Sequence, residues 1–365
     1  MRVLAVTPWF PSEVRPGLGL FNLRDVEMLA LDHEVTVLHL HDPSLGGEPG
    51  EWDAAPGIHV VRIPYHYTRP WTMPRALRTL RRLTAEADVV HTMAFPALLP
   101  VQLASLRTPW IHTEHWSGLL SLPTSLRGRL GHAVLRGGLR RPDEVVAVGQ
   151  RLSEVIEGIR KEPVPVIENF VRLASPDHIA ERWEAGSGSP LRLVAVGGLV
   201  PWKGPIEAVD ALADLRSRGV DARFDWAGVG PLRDAVAARA EERGVSEHMR
   251  LLGHVSPEAL DDVLAGAHLF LMATEYETFG IAYAEALAHG LCVVATGTGG
   301  HVTFLPDSAS RVVEDRSGPS LADAVVELMR NDDRWAPAQI FEYARQRFSP
   351  AERRRSYLEI YRRLG

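Results

Sequence analysis

The stretch Leu269–Leu287 constrains this chain more than any other. Leu269-Phe270-Leu271-Met272 is an unbroken apolar run, which reads as a buried strand. A small-residue, alanine-rich segment follows, starting as a helix near Phe279 or Gly280. Strand, turn and helix in that order place Glu277 in a turn at the carboxyl edge of a sheet. Open α/β sheets gather ligands at that edge. A helix start offers N–H groups and partial positive charge to a phosphate, and Gly280 lets a ligand approach the backbone closely. From Ile281 to Glu285 is about one helical turn, a rise of roughly 6 Å. A carboxylate at that distance can accept two hydrogen bonds from a ribose diol. Glu277 can do the same for a sugar beyond the phosphates. The plain alternative is an acidic cap at Glu277 with Glu285 on a solvated face.

At 365 residues the chain has room for two domains of ordinary size, each with its own core. A net charge of −6 and a pI near 6.2 argue against a general nucleic-acid binder. Cys292 is the sole cysteine, so no intrachain disulfide forms and a cytoplasmic location is expected. Met1-Arg2-Val3-Leu4-Ala5-Val6 runs into a strand-like segment without the apolar region of a signal peptide. No apolar run reaches the roughly 18 residues of a membrane span. Basic charge is almost wholly arginine: Lys161 and Lys203 are the only lysines, which makes each more informative.

In chain order, Val3–Thr7 reads as a buried parallel strand. A loop rich in proline and glycine, including Arg15, Gly17 and Gly19, leads to a helix near Asn22 to Ala30 and a second strand ending at Leu38. This is the opening of a nucleotide-binding fold. Val60–Ile63 is the expected third strand. Arg69 to Leu83 carries Arg69, Arg75, Arg78, Arg81 and Arg82 among Trp71, Met73, Leu77 and Leu80, a basic and partly apolar helical stripe that Pro74 should shorten. Such a stripe either lies on anionic lipid as a peripheral membrane contact or is a surface helix packed by its leucines, the reading adopted here. Arg127, Arg129, Arg136, Arg140 and Arg141 form a second basic cluster with the same two readings. Asp88–His91 and Pro109–His112 are strand ends, the latter followed by Thr113-Glu114-His115. Glu144–Val148 is a further strand, and a loop-rich linker runs through Ser175-Pro176 to Pro190. Leu193–Leu199 then leads through Val200-Pro201-Trp202 to Lys203-Gly204, and Phe224–Pro231 is strand then turn. Met249–Val255 is the next strand and its loop. Phe348–Arg363 is a final helix with Tyr357, Ile360, Tyr361 and Leu364 on one stripe.

Glu277-Thr278-Phe279-Gly280 with Glu285-Ala286 resembles the E-x7-E signature of retaining nucleotide-sugar glycosyltransferases of family 4, with the GT-B fold. Gly290–Ala295 and Gly299-Gly300 stand where that family has its next strand and glycine pair. Thr113-Glu114-His115 resembles its T-x-H, Gly228-Val229-Gly230-Pro231 its G-x-G-P, and Lys203-Gly204 its G-R-L…K-G segment. In that last segment Gly198 stands where the family has an arginine. Earlier in the chain, Gly149 after the Glu144–Val148 strand and Glu168 in the segment Val164–Asn169 replace a usual serine and proline.

The resemblance implies two Rossmann-like α/β domains facing a cleft: an acceptor domain over 1–172 and a donor domain over 190–340, with helix 348–365 crossing back to the first. It implies a metal-independent hexosyl transfer with retention, from a nucleotide-diphosphate sugar, a UDP-sugar foremost, to a small-molecule, lipid or glycan acceptor, with no other cofactor. Glu285 would hold the ribose, Glu277 the donor sugar, and Lys203 the diphosphate, with His115 beside the transferred sugar. Gly280, Ile281, Phe279, Gly198, Val255, Gly17 and Gly19 complete the donor site. Glu114 and Ser117 are acceptor contacts. Arg15, then Arg24, would supply the charge missing at Gly198. Two other readings stay open: a sugar-nucleotide epimerase of the same fold, and a catalytically weak nucleotide-sugar-binding partner protein.

Overall fold

The computed structural model describes the chain except Pro16, Tyr67, 121–132, 134–135, Arg182, 185–187 and Gly365. Arg127 and Arg129 of the second basic cluster lie outside the described residues, as does the side chain of Ser117. The chain divides into two units, Met1–Asn169 with Pro350–Gly365, and Phe170–Ser349.

The first unit is built on seven strands: β1 Arg2–Thr7, β2 Glu34–His41, β3 Gly50–Ala55, β4 Ile58–Pro64, β5 Val89–Met93, β6 Trp110–Glu114 and β7 Glu144–Ala147. Their order across the sheet is β3-β4-β2-β1-β5-β6-β7. All neighbours are parallel except β3 with β4. Val60–Ile63 is thus in the fourth strand, not the third. The missed strand, β3, is exposed along its whole length, so no apolar alternation marks it. It is an edge strand held by its hairpin with β4, whose turn uses the positive φ of Gly57. Pro74 does not shorten its helix, which spans Met73–Thr84. It stands in the first turn, where its missing N–H has no intrahelical acceptor to lose. That helix buries Ala76 and Leu80, while Arg75, Arg78, Arg81 and Arg82 are exposed.

The second unit carries β8 Leu191–Val196, β9 Ala222–Ala227, β10 Met249–Gly253, β11 Leu269–Met272, β12 Cys292–Thr296 and β13 Ser310–Val313, in the order β10-β9-β8-β11-β12-β13. Every pairing is parallel. A parallel sheet puts every loop that follows a strand at one edge, and the motifs from Gly197 to Arg316 lie in those loops. Phe270, Leu271, Val293 and Val294 are fully buried, as strands covered on both faces require.

The last helix, Pro350–Leu364, belongs to the first unit. Its Tyr357, Ile360 and Tyr361 are buried. Tyr361 Oη lies 2.7 Å from His91 Nδ1, and Tyr357 Oη 2.8 Å from Thr113 Oγ1. The strongest tie is ionic. Arg353, itself buried, donates from Nε and Nη2 to the two oxygens of Asp25 at 2.6 and 2.7 Å. Its Nη1 donates to the carbonyls of Ile167 and Glu168, each at 2.7 Å. Removing one partner of a buried pair leaves an uncompensated charge, whereas replacing both with apolar residues need not destabilise. Arg353→Ala should therefore cost about 3–5 kcal/mol, and Arg353→Met with Asp25→Leu should cost less than Arg353→Met alone. Urea unfolding followed by circular dichroism measures both; a double variant less stable than the single would contradict the ionic account.

Candidate functional site

In the second unit, the segment after β11 makes a tight turn before the helix Ile281–Leu287. Gly280 caps that helix with φ 96°. A side chain there would also meet the Cβ of His301 at 2.9 Å, so glycine is required twice over. The amide of Gly300 donates to the carbonyl of Glu277 at 3.0 Å, locking the glycine pair after β12 against this turn. A Cβ on Gly300 would sit 1.9 Å from the carbonyl oxygen of Thr278. Gly299-Gly300 thus serves a backbone contact.

Lys203 and Glu277 meet here. Lys203 Nζ donates to Glu277 Oε2 at 2.5 Å, with both side chains about one-fifth exposed. Oε1 of Glu277 accepts from the amide of Thr278 at 3.1 Å. Gly204 makes the lysine's position possible: with φ 71°, a Cβ on it would fall 2.4 Å from the carbonyl oxygen of Ala273. One cation and one carboxylate, paired and partly open to water, form a centre that a charged ligand can re-partition. Ile281 and Glu285 lie on the helix just beyond, Glu285 half-buried.

The remaining donor-side residues divide. Phe279 is buried against Phe304, at 4.9 Å between ring centroids, and Phe348, at 5.9 Å. Its side chain is core, which leaves only its main chain for a ligand. Gly198 lies half-buried beside the G-x-G-P turn, and its nearest neighbour to a Cβ would be the Val229 carbonyl oxygen at 3.6 Å. Nothing there demands glycine. Gly228 and Gly230 do meet backbone closely: a Cβ would lie 1.8 Å from Gly197 O and 2.4 Å from Leu199 O respectively. Val255 is half-buried in the loop after β10.

In the first unit, His115 directly follows β6 and is buried. Phe21 packs on its ring with centroids 4.6 Å apart, and its Nε2 lies 3.7 Å from Asp25 Oδ2. Neither ring nitrogen has a hydrogen-bond partner among the described residues. Burial, with the positive charge of Arg353, drives its pKa well below the usual histidine value, so the imidazole is neutral. Glu114 is not an open acceptor contact. It is fully buried, with Oε1 accepting from the amides of Phe95, His115 and Trp116 and Oε2 3.1 Å from His112 Nε2. Its job is to shape the turn that presents His115. Gly19 caps the helix Leu20–Leu29 at φ 74°, and a Cβ there would clash with Trp9 O at 2.3 Å. Gly17 is exposed, with open space around it. Arg15 is exposed and its Nε donates to the Leu45 carbonyl at 3.2 Å. Arg24 is half-buried on the following helix.

Two residues of this edge carried no signal in the sequence. His301 stacks on Tyr283 at 4.1 Å, donates from Nε2 to Thr296 O at 2.9 Å, and is held neutral by burial with a pKa of about 4. Arg316, after β13, pairs with Glu207 at 2.9 Å and Glu275 at 3.3 Å and donates to Pro201 O at 3.2 Å. Arg316 is defined only by partners distant in the chain, and His301 by its stacking on Tyr283 together with a local bond to Thr296. Among the described residues no group of three or more histidines, cysteines or carboxylates is placed to hold a metal ion, and no helix is long and apolar enough to cross a membrane.

The chain is similar to glycosyltransferases along most of its length. Residues 26–169 match a glycosyl transferase 4-like domain, and residues 179–347 match glycosyl transferases group 1. A GDP-mannose-dependent alpha-(1-6)-phosphatidylinositol monomannoside mannosyltransferase of Mycobacterium tuberculosis is 29% identical over 91% of this chain and 90% of its own length. A glycogen synthase of the same species is 28% identical over 82% and 79%. Among solved structures, sucrose-phosphate synthase from Thermosynechococcus elongatus superposes with a TM-score of 0.78 at 19% identity, covering 100% of this chain and 99% of that one. Anabaena HepE in complex with UDP gives 0.77 at 19% identity, covering 99% of each. These two show the fold, GT-B. The chain belongs to the group 1, family 4-like glycosyltransferases.

The spacing around the two kinds of glycine gives a direct test. Gly300→Ala should destabilise by about 1–3 kcal/mol, the range for forced overpacking. Gly198→Arg should stay within about 0.5 kcal/mol of wild type, because the nearest atom to its added Cβ, the Val229 carbonyl oxygen, lies 3.6 Å away. Thermal unfolding of both variants checks this; equal losses would show that the two glycines do the same work.

Proposed function

We propose that the chain transfers a hexosyl group from a nucleotide-diphosphate sugar to an acceptor nucleophile, with retention and without a metal ion. The observation that carries this is the Lys203–Glu277 pair, held at the sheet's carboxyl edge beside a glycine-capped helix start with Glu285 one turn further on. A diphosphate arriving there takes over Lys203 as its counter-charge. The freed Glu277 then accepts hydroxyls of the donor sugar. The first N–H groups of the helix lack intrahelical acceptors and add donors at Gly280 and Ile281. Negative charge grows on the phosphate as the glycosidic bond breaks, and preorganised donors act most strongly on developing charge. Glu285 holds the ribose. His115, neutral and with no hydrogen-bond partner on either ring nitrogen among the described residues, can both donate to and accept from a sugar hydroxyl.

Lys203 answers only to the lysine of the family's arginine and lysine, and it supplies neither the second charge nor the bidentate geometry of the arginine that Gly198 replaces. Arg15 can add charge only through the guanidinium nitrogens not bound to Leu45. A binding partner protein would turn over no donor, whereas an active transferase leaks slowly to water, so a donor-hydrolysis assay separates those two; nucleotide release beyond that slow leak with no acceptor present would favour an epimerase. A UDP-sugar, expected from the sequence, and GDP-mannose, which the name of the mycobacterial relative carries, head the donor panel.

Glu285→Ala should weaken nucleoside-diphosphate binding, each charge-assisted bond lost being worth about 1.5–3 kcal/mol. Glu277→Ala should lower turnover more than it lowers that binding. Thermal-shift titration and donor-hydrolysis rates measure the two effects, and unchanged affinity in Glu285→Ala would remove the ribose assignment. Activity should also survive excess EDTA. Loss on chelation, restored by magnesium or manganese, would overturn the metal-free reading.

A further inference from the structure

Trp202 and Tyr276 immediately precede Lys203 and Glu277. Their rings lie nearly parallel, 16° apart with centroids 5.9 Å from each other. Both stay open to solvent, Trp202 at 38% and Tyr276 at 42%. Single exposed apolar residues are ordinary on a protein surface; two offset aromatic rings held as one shelf are not. The amide of Glu275 donates to Trp202 O at 2.8 Å, and Lys203 closes on Glu277 one residue further along. Arg316 fastens the outer end by reaching both Pro201 O and Glu275. The two loops are therefore zipped at three successive levels, and the rings are fixed before any ligand arrives. An aromatic body costs little conformational entropy when it binds, because it has only two side-chain torsions to fix.

The shelf also has a defined position along the sheet edge. The loops after β9 and β10, with Val229 and Val255, lie on one side of Lys203. Arg316 and the loops after β12 and β13 lie on the other, and Arg316 is what holds the shelf. Polar groups border it: the Glu275 side chain is 58% exposed and that of Arg316 25%. The outer face of this stacked pair, edged by a carboxylate and a guanidinium, suits one chemistry well. A pyranose ring has an apolar C–H face to lay on the rings and equatorial hydroxyls to hydrogen-bond at the rim.

We propose that Trp202 and Tyr276 form a saccharide-binding shelf beside the transfer centre, which seats a sugar residue of a glycan-bearing acceptor. This rests on the glycosyltransferase reading above and names the class of its acceptor as one already carrying a pyranose.

The test uses the full chain and saturation-transfer NMR with two probes at millimolar concentration, methyl α-D-mannopyranoside and methyl α-D-glucopyranoside. Wild type should give a saturable signal with at least one of them. Trp202→Ala and Tyr276→Ala should each reduce it at least fivefold, and Trp202→Phe should retain most of it. Nucleoside-diphosphate affinity, measured by thermal shift on the same samples, should stay within twofold in all three variants, which also certifies their folding. No signal in wild type with either probe would overturn the proposal. So would a signal unchanged in both alanine variants, which would place the sugar elsewhere. A wild-type dimer in light scattering that Trp202→Ala dissociates would assign the shelf to a second copy of the chain and overturn it equally. If no nucleoside diphosphate stabilises wild type, the transferase reading fails on its own, whatever the sugar signals show.

Discussion

The hydrogen bond from the Gly300 amide to the Glu277 carbonyl is the contact on which the second unit's working edge depends. It brings two loops so close that no side chain fits between them, and it sets the main chain that presents Glu277. With Glu277 fixed, Lys203 has a partner at 2.5 Å. Gly204, pressed against Ala273, fixes the lysine from its other side. Charge, cap and helix start then occupy one small region because backbone, rather than side chain, fills the space between them.

The first unit solves a different problem. Its last helix comes from the far end of the chain and must stay seated on a sheet made from the beginning. Apolar residues supply burial, but the polar contacts give the seat its register. Arg353 spans Asp25 and two carbonyls, and tyrosine hydroxyls reach His91 and Thr113. A buried guanidinium is tolerated because each edge of its planar fork meets an acceptor. The same Asp25 lies 3.7 Å from His115, so the residue that anchors the helix also borders the residue proposed to face the sugar.

Histidines show how position outweighs residue type here. His115 and His301 are both buried and both neutral. His301 is fixed, stacked on Tyr283 and bonded to Thr296. His115 has only Phe21 against its face and no hydrogen-bond partner among the described residues. A buried polar group left without a partner costs stability, and a ligand hydroxyl would remove that cost.

What the sequence determined by itself is the periodic part. Short apolar runs alternating with helical stretches dictate parallel sheets, since only there are strands covered on both faces. Glycine and carboxylate at fixed spacing dictate a turn and a helix start, since φ, capping and rise are local properties. The placement of Lys203, Glu277 and Glu285 in the loops and helix that follow their strands was legible for that reason. β3 was not, because an exposed edge strand has no apolar alternation and exists only through its partner. Nor were the core role of Phe279, the burial of Glu114 under three amides, the clamp of Arg316 or the pairing of Trp202 with Tyr276. Each of these depends on at least one neighbour from another segment of the chain, and contact between such segments is decided by the packing of the whole fold rather than by any local preference.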